Sequence, residues 1–284
     1  MKEGVTVGKS YIVTSFKGGV GKTTLSANLA MTLARHGHSV VAVDCDLESR
    51  CLDIVLGLEN STLFNICDCI KGTCSIDNAI VQDTRCENLH FISAPAFYPE
   101  RSEIGVASDS FTDEAIADFV KTLTSRFEYV IFDLPARPDN LYRKLALMAD
   151  EAFVISLHTA ASIRAAEKTA IALNELTGYG KDNVTSGGLE IRLIVNGFKP
   201  KDAKDGVNVG LYEIISKTKL QLYGVVPFSN SMSKAQEMGK LAHEIYGGTT
   251  PFSVAVDNIA SRCEGKKVTL FKGVDTGVNK KKVF

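Results

Sequence analysis

The sequence contains no tryptophan and carries almost no net charge, because 32 lysines and arginines are matched by 33 aspartates and glutamates. A chain without a broad positive field has no general means of holding nucleic acid, so we expect no specific nucleic-acid partner. No apolar run approaches the length needed to cross a bilayer, and residues 1–10 lack the charged start and apolar block of a signal peptide. We therefore expect a cytoplasmic protein.

Several catalytic and metal-binding patterns are also missing. The chain has no His-Glu-x-x-His and no Gly-x-Ser-x-Gly motif, so nucleophilic hydrolase chemistry is unsupported. The chain has seven cysteines, which is an odd number, and it has no export signal. Reduced thiols are therefore expected. Cys67, Cys69 and Cys74 lie close together, but their spacing fits none of the usual metal-site patterns. Buried thiols that pack like small apolar side chains are the preferred interpretation.

The chain does contain enough apolar residues for a substantial core, since 45% of its 284 residues are hydrophobic. Strand-like apolar runs alternate with amphipathic helical patterns and no break in composition, which predicts a single α/β domain over residues 1–265. The sheet is expected to be mostly parallel and twisted, with helices on both faces. The first predicted strand begins at Tyr11, and the others cover residues 39–44, 88–94, 128–133, 152–157, 191–196 and 220–227. Predicted helices cover residues 24–36, 113–126, 162–176, 232–241 and 251–263, with two short helices in 62–82 and a polar surface loop in 95–110.

The most informative stretch is residues 11–24, in which a β-branched run is followed by a glycine-rich turn and then by a helical pattern. Glycines let the backbone bring consecutive N–H groups close to phosphate oxygens, and the positive end of the following helix stabilises an anion there. The strict phosphate-loop pattern is not met, because Phe16 stands five positions before Gly21. A glycine-rich turn before an ordinary core helix is the structural alternative.

Two further apolar strands end in acids. Residues 39–44 end in Asp44 and lead into a run with four acids in ten residues, and residues 128–133 end in Asp133. The carboxyl ends of parallel strands meet at one edge of the sheet, which is where ligands of open α/β sheets bind. A solvated acidic loop after Asp44 and a turn-favouring aspartate at Asp133 are the simpler alternatives.

The segment Lys17-Gly-Gly-Val-Gly-Lys-Thr-Thr24 has a second lysine just ahead of its glycines. It closely resembles the deviant Walker A loop of the MinD/ParA family of P-loop ATPases, and the MinD branch in particular. Asp44-x-Asp46, the strand ending in Asp133 and the Val-Val-Pro227 ending of the last strand extend the resemblance from Tyr11 to about Arg262. It implies a single P-loop NTPase domain that binds ATP and Mg²⁺.

The resemblance also implies roles for individual residues. The catalytic residues would be Lys17, which reaches the ATP of a second subunit, Lys22, which bridges the β- and γ-phosphates, and Asp46, which positions the attacking water. The nucleotide-binding residues would be Gly18, Gly19, Val20, Gly21, Lys22, Thr23, Thr24, Asn196 and Pro227, the last two at the adenine. The magnesium-binding residues would be Thr23, Asp44 and Asp133. Asn196 also fits a simple turn residue.

Four positions depart from the family pattern. Glu48 and Cys51 stand where MinD proteins more usually carry glycine and asparagine, and Leu134 and Arg137 alter the segment after Asp133. Arg137 replaces a glycine of the loop that senses the γ-phosphate in the family, so the resemblance is weaker there than at the phosphate loop.

The implied function is that of a MinD-like ATPase, which hydrolyses ATP to ADP and phosphate and acts as an ATP-dependent dimer switch in septum placement. Its partners would be a second copy of the chain and an activator of the MinE/MinC kind. Alternatives are a ParA-type or flagellar or pilus-positioning ATPase and a nucleotide-binding adaptor with little turnover; an iron–sulfur carrier is disfavoured by the missing Cys-x-x-Cys.

The lysine-rich tail, residues 266–284, bears on localisation. A MinD-like amphipathic helix here would lie against the inner face of the cell membrane, but Gly273 and Gly277 interrupt the pattern. A disordered or weakly amphipathic tail is therefore the expectation.

Overall fold

The computed structural model describes residues 7–96, 110–178, 188–270 and 272. In this part of the chain one eight-stranded sheet is connected by eleven α-helices and two 3-10 turns. The strands are β1 (Lys9–Thr14), β2 (Val40–Asp44), β3 (Val81–Gln82), β4 (Leu89–Ile92), β5 (Tyr129–Asp133), β6 (Glu151–Ser156), β7 (Glu190–Phe198) and β8 (Gln221–Pro227). The helices are α1 (Lys22–Arg35), α2 (Leu52–Leu56), α3 (Ile66–Ile70), α4 (Ile76–Ala79), α5 (Asp113–Arg126), α6 (Asn140–Met148), α7 (Ala160–Thr177), α8 (Pro200–Lys204), α9 (Leu211–Thr218), α10 (Asn230–Gln236) and α11 (Pro251–Cys263). The 3-10 turns are Ala242–Glu244 and Tyr246–Gly248.

The strand order is β3-β4-β2-β5-β1-β6-β7-β8, and every neighbouring pair is parallel except β3 with β4. The chain builds the β2 side of the sheet first and crosses to β6 only after β5. The connection after β1 therefore leaves the sheet where the strand order reverses, which is the usual ligand-binding position of such sheets.

Two apolar layers cover the sheet. One layer packs α1 and α11 on one face through side chains that include Leu29 and Ile259. The other packs α5 and α7 on the opposite face through side chains that include Phe119 and Ile163. All residues of β2, β5 and β6 are buried, because a strand covered on both faces has no solvated side. The predicted α/β fold with a mostly parallel sheet is confirmed.

The long helices agree best with the sequence patterns, since α5 and α11 have the predicted bounds. The helix predicted over 232–241 is wrong in its second half, because α10 ends at Gln236 and the chain turns at Gly239, whose φ is 63°. The patterns do not predict α2, α6, α8 and α9, which have nine residues or fewer and are too short to stand out as helical patterns. Most of the predicted loop 95–110 lies outside the described residues.

The first residues of the basic tail lie against α11. The Arg262 guanidinium donates to the carbonyl oxygens of Val268 at 3.1 Å and Thr269 at 2.8 Å, and the Asn258 amide donates to that of Lys272 at 2.6 Å. The rest of the tail lies outside the described residues. Among the described helices, none is both long and apolar enough to cross a bilayer.

Gly224 offers a test of the packing between β8 and α11. A Cβ at this position would lie 2.7 Å from two side-chain atoms of the fully buried Ile259. We expect Gly224→Ala to lower the free energy of unfolding by about 1–3 kcal/mol, because the extra methyl overpacks the core. Urea denaturation measures this change. Gly210→Ser is the control. Gly210 is the N-cap residue of α9, a Cβ at this position would meet no neighbouring atom, and serine is a good N-cap residue. Equal losses for the two variants would contradict the packing.

Candidate nucleotide site

The glycine-rich loop lies between the end of β1 and the start of α1. Gly19 and Gly21 have left-handed φ angles of 71° and 91°, which residues with a Cβ rarely adopt. The Asn196 side-chain amide, from β7, donates to the Val20 carbonyl oxygen at 2.8 Å. A Cβ at Gly21 would lie 2.2 Å from the Asn196 Nδ2 atom, so both the backbone angle and the close approach require glycine here.

Lys22 is the first residue of α1, and its side chain turns inward. It is only 8% exposed. Burial lowers the pKa of Lys22, and the carboxylates of Asp133 and Asp46 oppose that effect. Burying the Lys22 ammonium without a partner would be costly. The predicted site carboxylates of Asp133 and Asp46 offset this cost.

Asp133 ends β5 beside β1 and is buried. Its Oδ1 atom accepts a hydrogen bond from the Ser26 hydroxyl at 3.0 Å. Burial raises the pKa of Asp133 to about 6, against the lowering effects of the Thr23 hydroxyl, the Lys22 ammonium and the Ser26 hydroxyl. A nearby divalent cation would favour the ionised carboxylate. Carboxylate and hydroxyl oxygens are hard ligands of the kind that Mg²⁺ prefers, so the donor set fits this metal.

Asp44 lies beside Asp133 in the register of β2 and β5. Its two carboxylate oxygens accept backbone N–H groups of Asp46 and Leu52, each at 3.0 Å. Burial and the neighbouring Asp133 raise the pKa of Asp44 well above its ordinary range. The structure thus uses Asp44 to hold the loop that carries Asp46, and its assignment to the metal stays a prediction.

The loop after β2 holds Asp46 near the phosphate loop. The Asp46 Oδ1 atom accepts the Ser49 N–H at 3.0 Å, and Arg50, with a φ of 40°, pairs with Asp53 through an N–O distance of 2.6 Å. These contacts order the loop from within. Asp46 is less buried than Asp44 and Asp133, so it is the carboxylate of the three with most access to solvent.

Phe16, the departure from the strict loop pattern, has a structural explanation. Its backbone N–H donates to the Thr169 hydroxyl at 3.0 Å, and its ring lies 6.1 Å from that of Tyr142. The phenyl group packs against the core under α6 and α7. The following Lys17 is partly exposed. Phe16 therefore anchors the loop entrance while Lys17 remains accessible.

A cleft of about 390 Å³ opens beside the loop. The structure brings Gly19, Val20, Gly21, Thr24, Asn196 and Pro227 together in its wall. The Thr24 hydroxyl also donates to the Gln236 side-chain oxygen at 2.8 Å. The cleft wall does not include Lys22 at the start of α1, Asp44 and Asp133 at the ends of β2 and β5, or Asp46 in the loop after β2.

The residues of the cleft wall that were not predicted include His158, Lys199 and Phe228. Each follows the end of a strand, β6, β7 or β8, and that position is the signal that could have found them. The Lys199 Nζ atom lies 4.3 Å from the Phe228 ring centroid. Burial lowers the pKa of His158, so its ring is neutral at pH 7.

The positions that depart from the family pattern after Asp133 have different surroundings. Leu134 is fully buried, and its N–H donates to the Val13 carbonyl oxygen at 3.1 Å, as a continuation of the sheet. Arg137 is exposed.

Within the described residues no group of three or more His, Cys, Asp or Glu side chains is arranged to hold a metal ion.

The fold and the site define a P-loop nucleotide-binding protein. Residues 11–242 match the family model of the CobQ/CobB/MinD/ParA nucleotide binding domain. The septum site-determining protein MinD of Bacillus subtilis strain 168 is 31% identical over 93% of this chain and 92% of its own length. The chain belongs to the MinD/ParA family, as the loop motif predicted.

Solved structures agree with this assignment. A MinC:MinD cell division protein complex from Aquifex aeolicus contains a chain with 26% identity and a TM-score of 0.75, covering 92% of this chain and 98% of that one. The septum site-determining protein MinD from Pyrococcus horikoshii OT3, complexed with Mg-ADP, has 20% identity and a TM-score of 0.73 over 90% of this chain and 96% of that one. The second similarity supports the fold alone.

Gly21 provides a test of the loop geometry. We expect Gly21→Ala to weaken nucleotide binding at least about tenfold, because an alanine at this φ costs roughly 1–2 kcal/mol and its Cβ meets the Asn196 amide. Titration with a fluorescent ATP analogue measures the loss. Gly37→Ala is the matched control: Gly37 follows α1, has a φ of 99° and would place its Cβ in open space. It should cost stability without changing affinity; similar affinity losses in both variants would contradict the local explanation.

Proposed function

We propose that this chain hydrolyses ATP to ADP and phosphate and acts as an ATP-dependent homodimer switch in the placement of the division septum. The observation that carries the proposal is the convergence of Lys22, Asp46 and Asp133 beside a phosphate loop whose first lysine, Lys17, is accessible. The relatives supply the cellular role, because they are septum site-determining and cell division proteins.

The phosphate loop would hold the nucleotide. The backbone N–H groups of Gly18, Gly19, Val20 and Gly21 would face the phosphate oxygens, with the positive end of α1 behind them. Lys22 would bridge the β- and γ-phosphates, and Thr24 would contact the α-phosphate. The base would enter the cleft between Asn196 and Pro227. Asn196 already donates to the loop, so its side-chain oxygen is the group left to accept from the base.

Magnesium would be held by Thr23 and Asp133, with Asp44 behind them. Mg²⁺ keeps several of its waters and needs only one or two carboxylates besides the substrate phosphates, which suits this small donor set. When bound, the ion neutralises charge that develops on the phosphates.

Hydrolysis is an attack of water on the γ-phosphorus, and the protein contributes mainly position and charge. Asp46 would orient the attacking water from the loop that Asp44 holds through the N–H groups of Asp46 and Leu52. Lys22 would stabilise the negative charge on the leaving phosphate. Any rotation of the Asp44 loop would move Asp46, so the two aspartates act as one unit.

Lys17 would complete the site of a second copy of the chain, which makes dimerisation dependent on ATP. Loss of the γ-phosphate would remove this contact and release the dimer. A similar solved structure is a MinC:MinD complex, which supports a partner of the MinE/MinC kind that would act on the dimer of this chain as its activator.

The switch can be tested by gel filtration with ATP. We expect Asp46→Ala to accumulate dimer and to lower phosphate release roughly 100-fold, because the water loses its orientation. Lys17→Ala should remain monomeric with ATP, because the contact across the interface is lost. Exposed charges outside the site and the cleft provide matched controls, Asp118→Ala and Lys217→Ala, which should behave as wild type. A monomeric Asp46→Ala or a normally dimeric Lys17→Ala would overturn the switch.

We further propose that the protein works in the cytoplasm and meets the inner membrane surface through its lysine-rich tail. We expect it to sediment with anionic liposomes in ATP but not in ADP, and less at high salt, because exposed charges are screened. Removal of residues 273–284 should abolish sedimentation and leave the segment that contacts Arg262 and Asn258 in place. Salt-sensitive binding to non-specific DNA without liposome binding would instead favour a ParA-type role.

A further inference from the structure

Two thiols outside the nucleotide site lie in contact. Cys69 belongs to the last turn of α3, Cys74 lies in the turn before α4, and their sulfur atoms are 3.7 Å apart. Neither residue has a part in the proposed ATPase mechanism.

The turn between them is built to keep this geometry. Gly72 has a left-handed φ of 70°, which reverses the chain after α3. The Asp68 carbonyl oxygen then accepts the Thr73 N–H at 2.9 Å, the Thr73 hydroxyl at 3.0 Å and the Cys74 N–H at 3.4 Å. The meeting of the two sulfurs is therefore a consequence of an ordered turn.

Both thiols are half-buried, and both pack against the core. Their surroundings differ, because Cys74 lies between the exposed residues Thr73 and Ser75. Burial and the neighbouring Cys74 raise the pKa of Cys69 above its ordinary range, so its thiol stays protonated at neutral pH. Because Cys74 has exposed neighbours and Cys69 keeps its proton, Cys74 is the thiol that reacts first with an oxidant in solution.

A metal does not account for the pair. The described residues contain no group of three or more His, Cys, Asp or Glu side chains arranged around a metal ion. Formation of a disulfide, by contrast, requires only a further approach of roughly 1.7 Å between the sulfurs.

We propose that Cys69 and Cys74 form a covalent modification site that low-molecular-weight disulfides oxidise reversibly to an intramolecular disulfide. The Cys74 thiolate attacks one sulfur of the small disulfide, and one small thiolate leaves. Cys69 then loses its proton to solvent, and its thiolate attacks the Cys74 sulfur and expels the second small thiolate. The two cysteines are oxidised by two electrons in total, and the small disulfide is reduced to two thiols. Excess thiol reverses both steps.

The test uses the full chain, reduced and then equilibrated in glutathione buffers of increasing oxidised fraction. Remaining thiols are alkylated, the protein is digested with trypsin, and the peptides are identified by mass spectrometry. Cleavage after Lys71 separates Cys69 from Cys74, so their peptides stay joined only through the disulfide. We expect a joined pair, lighter by two hydrogen atoms than the sum of its reduced parts, that disappears on addition of reduced glutathione.

Variants identify the partners, because the peptide with Cys69 also contains Cys51 and Cys67. The joined pair should be lost in Cys69→Ser and Cys74→Ser and should survive in Cys51→Ser and Cys67→Ala. Fragmentation of the wild-type pair locates the bond without relying on a variant that folds poorly. Absence of the pair at every buffer ratio, survival in Cys69→Ser or loss in Cys67→Ala would overturn the proposal.

Discussion

The rest of the site depends on two carboxylates, Asp44 and Asp133, that are buried side by side at the ends of β2 and β5. Like charges in a low-dielectric interior repel, and each also loses its hydration. Two backbone N–H groups stabilise Asp44, while the Ser26 hydroxyl and the Lys22 ammonium stabilise Asp133. Two buried carboxylates need such partners. This need accounts for the geometry of the Asp46 loop and for the inward position of Lys22.

The cost of burying these charges also links the binding of nucleotide and metal to the conformation of the loop that carries Asp46. Without a ligand, burial raises the pKa of Asp133 and lowers that of Lys22, so both groups are less favourably charged than in water. Phosphates and a divalent cation supply opposite charges to these two groups and thereby relieve both penalties. Because Asp44 connects Asp133 to the loop that carries Asp46, a change in charge at the metal position reaches the residue proposed to orient water.

Connections across the sheet explain why this loop keeps its form. Asn196 from β7 bonds the Val20 carbonyl, Phe16 packs under α6 and α7, and Thr24 bonds Gln236 of α10. These contacts join elements far apart in sequence, and none of them belongs to a local motif. The turn that joins Cys69 to Cys74 is the opposite case, because its hydrogen bonds lie within a few consecutive residues.

The α/β class, the long helices, the acid-terminated strands and the family could all be predicted from the amino-acid sequence, because periodicity and the lysine–glycine loop are local features. Features that depend on distant neighbours became visible only in the folded structure. It paired Asp44 with backbone amides, directed Asn196 to the loop, gave Phe16 a place in the core and brought His158, Lys199 and Phe228 into the cleft. The helices α2, α6, α8 and α9 and the early end of α10 were also missed, since tertiary packing rather than a long local pattern stabilises elements this short.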